Sequence, residues 1–276
     1  MTSRRLKAAK QISLAAFWVL AVASAAILQG NDWLLGAAPA TGAALAFAGY
    51  VIFLRLGQAQ AQRELAAFMQ RGGAWTDRPV VLFLRSFAVA RSTLGHRLIG
   101  VVAAFTGGGG RFDVEEKLDD AVGANAMLVA IGDKHVSYGS AKLTVGDSEW
   151  QDMFRRLADS ALLIVMMPGP SEAVLWELAQ ILGSPPLAAK TVFAMPRASD
   201  QGTSETRAWA QFANAVDRTL RVRFPAYQAL GCYLRLRPAD RSWDSAHLEP
   251  FTREVARAFR QGASDIDVAA LFARAA

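Results

Sequence analysis

The run Leu162 to Met167, apolar at every position, narrows the choice of fold more than any other stretch of the chain. A strand with one wet face alternates polar and apolar residues. A strand that never alternates must be buried on both faces, inside a parallel sheet with helices above and below. Pro168-Gly169-Pro170 stops this strand, Ser171 stands where a helix N-cap is wanted, and Leu175, Leu178, Ile181 and Leu182 recur behind it at helical spacing. The same pattern repeats along the chain. Pro79 to Phe87 reads as a strand, Asp113 to Val122 as a helix and Ala126 to Ile131 as a strand. A helix capped by Asp147 or Ser148 runs through Ala158. After the central unit come a strand at Thr191–Met195, a helix at Glu205–Leu220, a strand at Gly231–Arg237 and a helix at Leu248–Arg260. Strands and helices in alternation predict an α/β domain with a mainly parallel sheet covered on both faces.

The part ahead of this domain has another character. Gln11 to Asn31 and Trp33 to Leu54 are uncharged and separated by Asp32. Each is long enough to cross a bilayer, which takes about 20 helical residues. Residues 1–57 are therefore expected to form a transmembrane hairpin, with spans near 11–30 and 33–55. They hold +4 of the net charge of +6, from Arg4, Arg5, Lys7, Lys10 and Arg55 against Asp32. That distribution predicts an inner-membrane protein with both termini in the cytoplasm, and it explains the pI of 9.8 without a nucleic-acid partner. The rival reading is a signal peptide cleaved near Ala23-Ser24-Ala25, which would leave one span instead of two. Gly36 to Ala44 is rich in small residues and suits either self-association through lipid or packing of the hairpin on itself. Residues 58–77 read as a juxtamembrane helix, from Gln58 to Gln70 and ended by Gly72-Gly73, with a linker behind it, and 78–276 as the cytoplasmic domain.

Ligands of open α/β sheets bind at the carboxyl ends of the strands, so the polar residues near those ends are the candidates. Glu177 falls in the second turn of the central helix, on a strip with Ala173 and Gln180, from which its carboxylate is expected to look across the mouth of the sheet. Arg85 and Ser86 lie where the first strand surfaces. Trp150 and Trp176 are candidate stacking surfaces for a base, though packing is the commoner use of such residues. Arg85 has an equally ordinary alternative, an ion pair with a neighbouring acid.

Several other signals lead to less. Gly107 to Gly110 lacks the Gly-Lys-Ser/Thr of a phosphate loop, and the helix behind it opens with Asp113, Glu115 and Glu116, which repel phosphate. Asp113 and Glu116 fit a capping box instead. His96, His135 and His247 stand alone, so no metal site is expected. Ser137, Ser140 and Ser171 have no base at a recognisable spacing. Cys232 is the only cysteine and excludes an internal disulfide.

VVLFLRSF, then AIG with the loop YGSAKLTVGDSEW, then ALLIVMMPGPSEAVLWEL together resemble the TIR-like domains of bacterial membrane proteins, relatives of the Toll/interleukin-1 receptor fold. The resemblance spans Val80 to about Met195 and implies a flavodoxin-like or TIR-like sheet. Val81 to Phe87 matches the family's first box and Leu175-Trp176-Glu177-Leu178 the box that carries its functional glutamate. The family sets its tryptophan further ahead of the glutamate, whereas Trp176 directly precedes Glu177. What the resemblance implies is hydrolysis of the nicotinamide–ribose bond of NAD, with NAD as substrate and no resident cofactor. Glu177 would be the key carboxylate, with Arg85, Ser86, Trp150 and Trp176 around the nucleotide. It also implies activity on association of domains, which a membrane hairpin favours.

Three function classes stand at this point. The first is a membrane-tethered NAD-consuming effector of bacterial stress or phage defence. The second is a non-catalytic module that senses a nucleotide or joins another TIR-like domain at the membrane. The third is a nucleoside-processing transferase with a helix-borne glutamate.

Overall fold

The computed structural model describes residues 78–85, 112–123, 125–131, 141–143, 149–169, 171–198, 203–237 and 239–275, with four helical positions ahead of them, Arg63, Ala66, Ala67 and Gln70. All but Arg63 belong to one unit, Glu64–Ala276. Among the described residues no helix is long and apolar enough to cross a membrane. The spans expected at 11–30 and 33–55 lie outside those residues, as do Ser86, the segment 94–110 and most of the polar loop before Trp150.

Seven strands form one sheet. β1 is Val80–Arg85, β2 Met127–Ile131, β3 Ala141–Leu143, β4 Ala161–Met167, β5 Thr191–Met195, β6 Cys232–Leu236 and β7 Trp243–His247, in the order β3-β2-β1-β4-β5-β6-β7. The first five are parallel, and β6 and β7 run antiparallel beyond them. The helices are α1 (Phe112–Val122), α2 (Trp150–Ser160), α3 (Glu172–Gly183), α4 (Pro185–Ala189), α5 (Thr203–Leu220), α6 (Leu248–Arg260) and α7 (Val268–Ala275).

Strand composition follows strand position. β2 and β5 are buried at every residue, and β1 at every residue except Arg85. β7, at the edge, buries only Ala246, so its WDSAH sequence tolerates polar side chains that a central strand would not. Gly231 brings the chain into β6 at φ +70, and a Cβ there would lie 2.7 Å from the backbone nitrogen of Arg197 and 2.8 Å from the carbonyl of Met195. Only glycine fits that turn.

Alternation along the strands divides the core between two faces. Val81, Phe83, Leu163, Val165, Val192, Ala194 and Tyr233 point to one face, where they pack with Val114 and Leu118 of α1, Phe251 and Val255 of α6, and Leu271 and Phe272 of α7. The intervening residues point to the other face, which α2, α3 and α5 cover through buried residues such as Phe154, Leu178 and Phe212. Each large side chain so buried is worth roughly 1.5–3 kcal/mol. Two basic residues close helix ends beneath the sheet. Lys190 Nζ donates to the carbonyls of Asp159 at 2.9 Å and Ala161 at 2.8 Å, after α2, and Arg78 donates to Gly123 O at 3.0 Å, after α1. Cations suit the carbonyl-rich end of a helix.

Candidate active site

The connections reverse direction at β1. The chain moves outward from β1 through β2 to β3, then crosses back to place β4 on the other side of β1. Arg85 and Met167, the last residues of β1 and β4, stand in register at that point. A crevice outside the carboxyl ends of two such strands is the usual ligand site of an open α/β sheet.

From Met167 the chain enters α3 through Pro168 and Gly169. Ser171 takes an extended conformation (φ −82, ψ 149), and its hydroxyl accepts the N–H of Val174 at 3.4 Å. The cap fixes the phase of the helix. At 100° per residue, Val174, Leu178 and Ile181 form a narrow arc facing the sheet, and Glu177 falls at the margin of that arc. Glu177 is buried, 2% exposed, which corrects the expectation of a carboxylate looking across an open mouth. Leu175 and Leu182, expected in the apolar face, are only half-buried, and Val174 takes the place they were given.

Glu177 lies six residues beyond its cap, so about 9 Å down the helix axis from the rim of the sheet. Helical side chains lean back toward the N-terminus, which carries the carboxyl up toward the rim from below. Among the described residues its Oε2 has no hydrogen-bond partner. Burial pushes the carboxyl up from 4.5 to about 8. An isolated buried carboxyl responds in this way because ionisation in a low-dielectric site is expensive. At neutral pH the group is a neutral acid, able to give up its proton when a positive charge arrives beside it.

The other expected site residues are dispersed. Arg85 follows Val81 and Phe83 onto the α1 face, where its Nη1 lies 3.2 Å from Glu115 Oε2. Arg85 and Glu177 therefore sit on opposite faces of the sheet. Trp150 and Trp176 do come together, but with each other, edge to face at 4.7 Å. Trp176 also meets Phe154 at 5.5 Å, and the guanidinium of Arg155 stands 5.3 Å from its ring centre. These contacts make the tryptophans a seam between α2 and α3. The helix expected to be capped by Asp147 or Ser148 instead has Glu149 at its N-cap, with no side-chain bond to the helix. Asp113, expected as a cap, lies inside α1, which begins one residue earlier at Phe112.

Glu115, which meets Arg85, escapes the reading from sequence. It is 2% exposed and precedes Leu118 and Val122 by three and seven residues, so the α1 stripe that carries those side chains also carries it inward. Among the described residues no group of three or more His, Cys, Asp or Glu side chains is arranged to hold a metal ion. Compared with family models, curated proteins and solved structures, the chain finds no match in any of the three.

Proposed function

We propose that this chain is a TIR-like effector, tethered to the inner membrane by an N-terminal hairpin, that hydrolyses the nicotinamide–ribose bond of NAD with Glu177 as the acting carboxyl. The observation that carries the reading is Glu177 itself, a buried acid with an oxygen left without a partner among the described residues, on the helix that follows the switch-point strand. Such a group lowers stability, and perturbed acids of this kind concentrate at functional sites. The sheet, ordered β3-β2-β1-β4-β5 in its parallel part, departs from the flavodoxin-like order that the resemblance implies by carrying β3 outside β2, but it keeps the switch point at β1 beside which α3 begins.

The chemistry needs little from the protein beyond that carboxyl. The C–N bond breaks, nicotinamide leaves with the bonding pair as a neutral ring, and the ribosyl cation is trapped by water, which loses a proton. A carboxylate beside the sugar stabilises the cation. Glu177 is neutral in the empty site at pH 7, but the nicotinamide ring of NAD is itself cationic, and an adjacent positive charge draws a carboxyl toward ionisation. Substrate would thus bring about the charge state that its own cleavage requires.

A second reading, the non-catalytic nucleotide-sensing or self-associating module, draws support from the closure of Glu177 to solvent. Nicotinamide release from NAD by the full chain clustered on vesicles separates the two. The hydrolase reading expects turnover that rises with pH toward about 8 and falls at least a hundredfold in Glu177→Gln. Nucleotide binding without release, unchanged by the substitution, would leave the sensing module.

A further inference from the structure

We propose that the amino-terminal edge of the sheet carries a second ligand site, a basic groove that takes a multiply charged phosphate group. α5 runs back from the carboxyl rim and ends at this edge, and β6, which pairs Cys232 with Met195 and descends to Leu236, brings the β6–β7 hairpin to the same level. Between them lies a groove of about 420 Å³ lined by Asp217, Arg221, Val222, Arg223 and Arg241. It is at the opposite edge from the start of α3, so it stands or falls independently of Glu177.

Charge is the first argument. Three arginines and one carboxylate line the groove, and Asp217 is 3.7 Å from Arg223. Arg221 and Arg241 have no ion pair among the described residues. The nearby Asp240 is directed elsewhere, accepting the N–H of Ser242 at 3.0 Å and its hydroxyl at 2.7 Å, with Arg237 at 3.8 Å.

Backbone conformation is the second. Arg221, at φ 57, and Arg241, at φ 55, are the two non-glycine residues with positive φ among those described. Arg221 is the first residue beyond α5, and Arg241 closes the hairpin, donating its N–H to Arg237 O at 2.9 Å. Glycine or asparagine ordinarily fills such places, because a larger side chain crowds the next carbonyl. Here two arginines occupy strained positions, and both line one groove. Residues held in this region recur at ligand clamps, and here two arginines so held line the same groove.

The chain between α5 and β6 is also held in place. Trp243 Nε1 donates to Arg223 O at 2.7 Å and its ring meets Phe224 at 4.4 Å, while Trp209 Nε1 holds Pro225 O at 2.8 Å. These contacts fix the backbone from Arg223 to Pro225 before any ligand arrives, which lowers the ordering cost of binding at that side of the groove. Forked guanidiniums match phosphate oxygens in pairs, and three of them suit a diphosphate or a bisphosphorylated lipid headgroup alike.

The full chain in detergent micelles, titrated at constant ionic strength with inorganic pyrophosphate, with short-chain phosphatidylinositol bisphosphate and with sulfate, tests this by calorimetry. At least one of the two phosphate probes is expected to bind ten times or more tighter than sulfate. The double variant Arg221→Gly/Arg241→Gly should lose about tenfold in affinity, and its Tm should hold or rise because glycine relieves the backbone. Pyrophosphate binding alone would make the ligand a soluble phosphate; lipid binding alone would make it a headgroup. Binding no tighter than sulfate, unaltered binding in the double variant, or a lower Tm in that variant would each overturn the proposal.

Discussion

Two buried glutamates flank the central strands, and they are treated in opposite ways. Glu115, on the α1 face, meets Arg85 at 3.2 Å. Glu177, on the α3 face, has an oxygen without a partner among the described residues. Both are 2% exposed. The first is accounted for by folding alone, since a buried charge with a guanidinium beside it is tolerated. The second is not, because a leucine at the margin of the same arc would pack at no electrostatic cost. A residue that the fold alone would replace is where a function should be sought.

The largest effect is expected on the paired side. Arg85→Met takes one guanidinium from the partners of buried Glu115 and should cost on the order of 3 kcal/mol or more in a urea titration. Arg85→Met/Glu115→Leu should recover most of it. Failure of the double variant to recover would mean that the pair holds the rim for some reason other than charge balance.

Glu177→Gln should act in the other direction. The folded carboxyl titrates at about 8 against 4.5 unfolded, so its favourable contribution is complete below 4.5 and is lost as pH rises through 8. At pH 7 the folded chain must take up a proton that glutamine does not need, and the variant should be more stable by about 3 kcal/mol. The gap between variant and parent should close at pH 4. Equal stability at both pH values would show that Glu177 has a compensating partner, and the contrast with Glu115 would disappear.

The smallest effect concerns the frame. Ser171→Ala removes a cap whose bond, at 3.4 Å, is long, and should cost about 0.5–1 kcal/mol without moving the titration of Glu177. A shift of that titration would mean that the cap, and not burial, governs the acid.

The sheet was legible wherever burial on both faces forced an unbroken apolar run. Thr191–Met195 and the core of Ala161–Met167 could be read directly, and Leu248–Arg260 followed from its helical period. β3, three residues in a polar loop, and β7, with Ala246 alone buried, have no run to read. α7 did leave a signal. Val268, Leu271, Phe272 and Ala275 keep helical spacing, and Asp267 caps them by accepting the N–H of Ala270 at 3.1 Å. Ser171 and Glu177 could be singled out from the strand-turn-helix pattern, but whether Glu177 was wet or buried turned on a few tens of degrees of helix phase. The partner of Arg85 lies thirty residues away and the basic groove draws on two separate turns, so neither was visible in local spacing.

If Glu177 is kept for function against the interest of stability, Glu177→Gln at pH 7 should melt higher than the parent chain and release no nicotinamide, both read in the same vesicle-clustered samples. A variant that melts lower, or that releases nicotinamide at the parent rate, would show that Glu177 serves the fold and not catalysis.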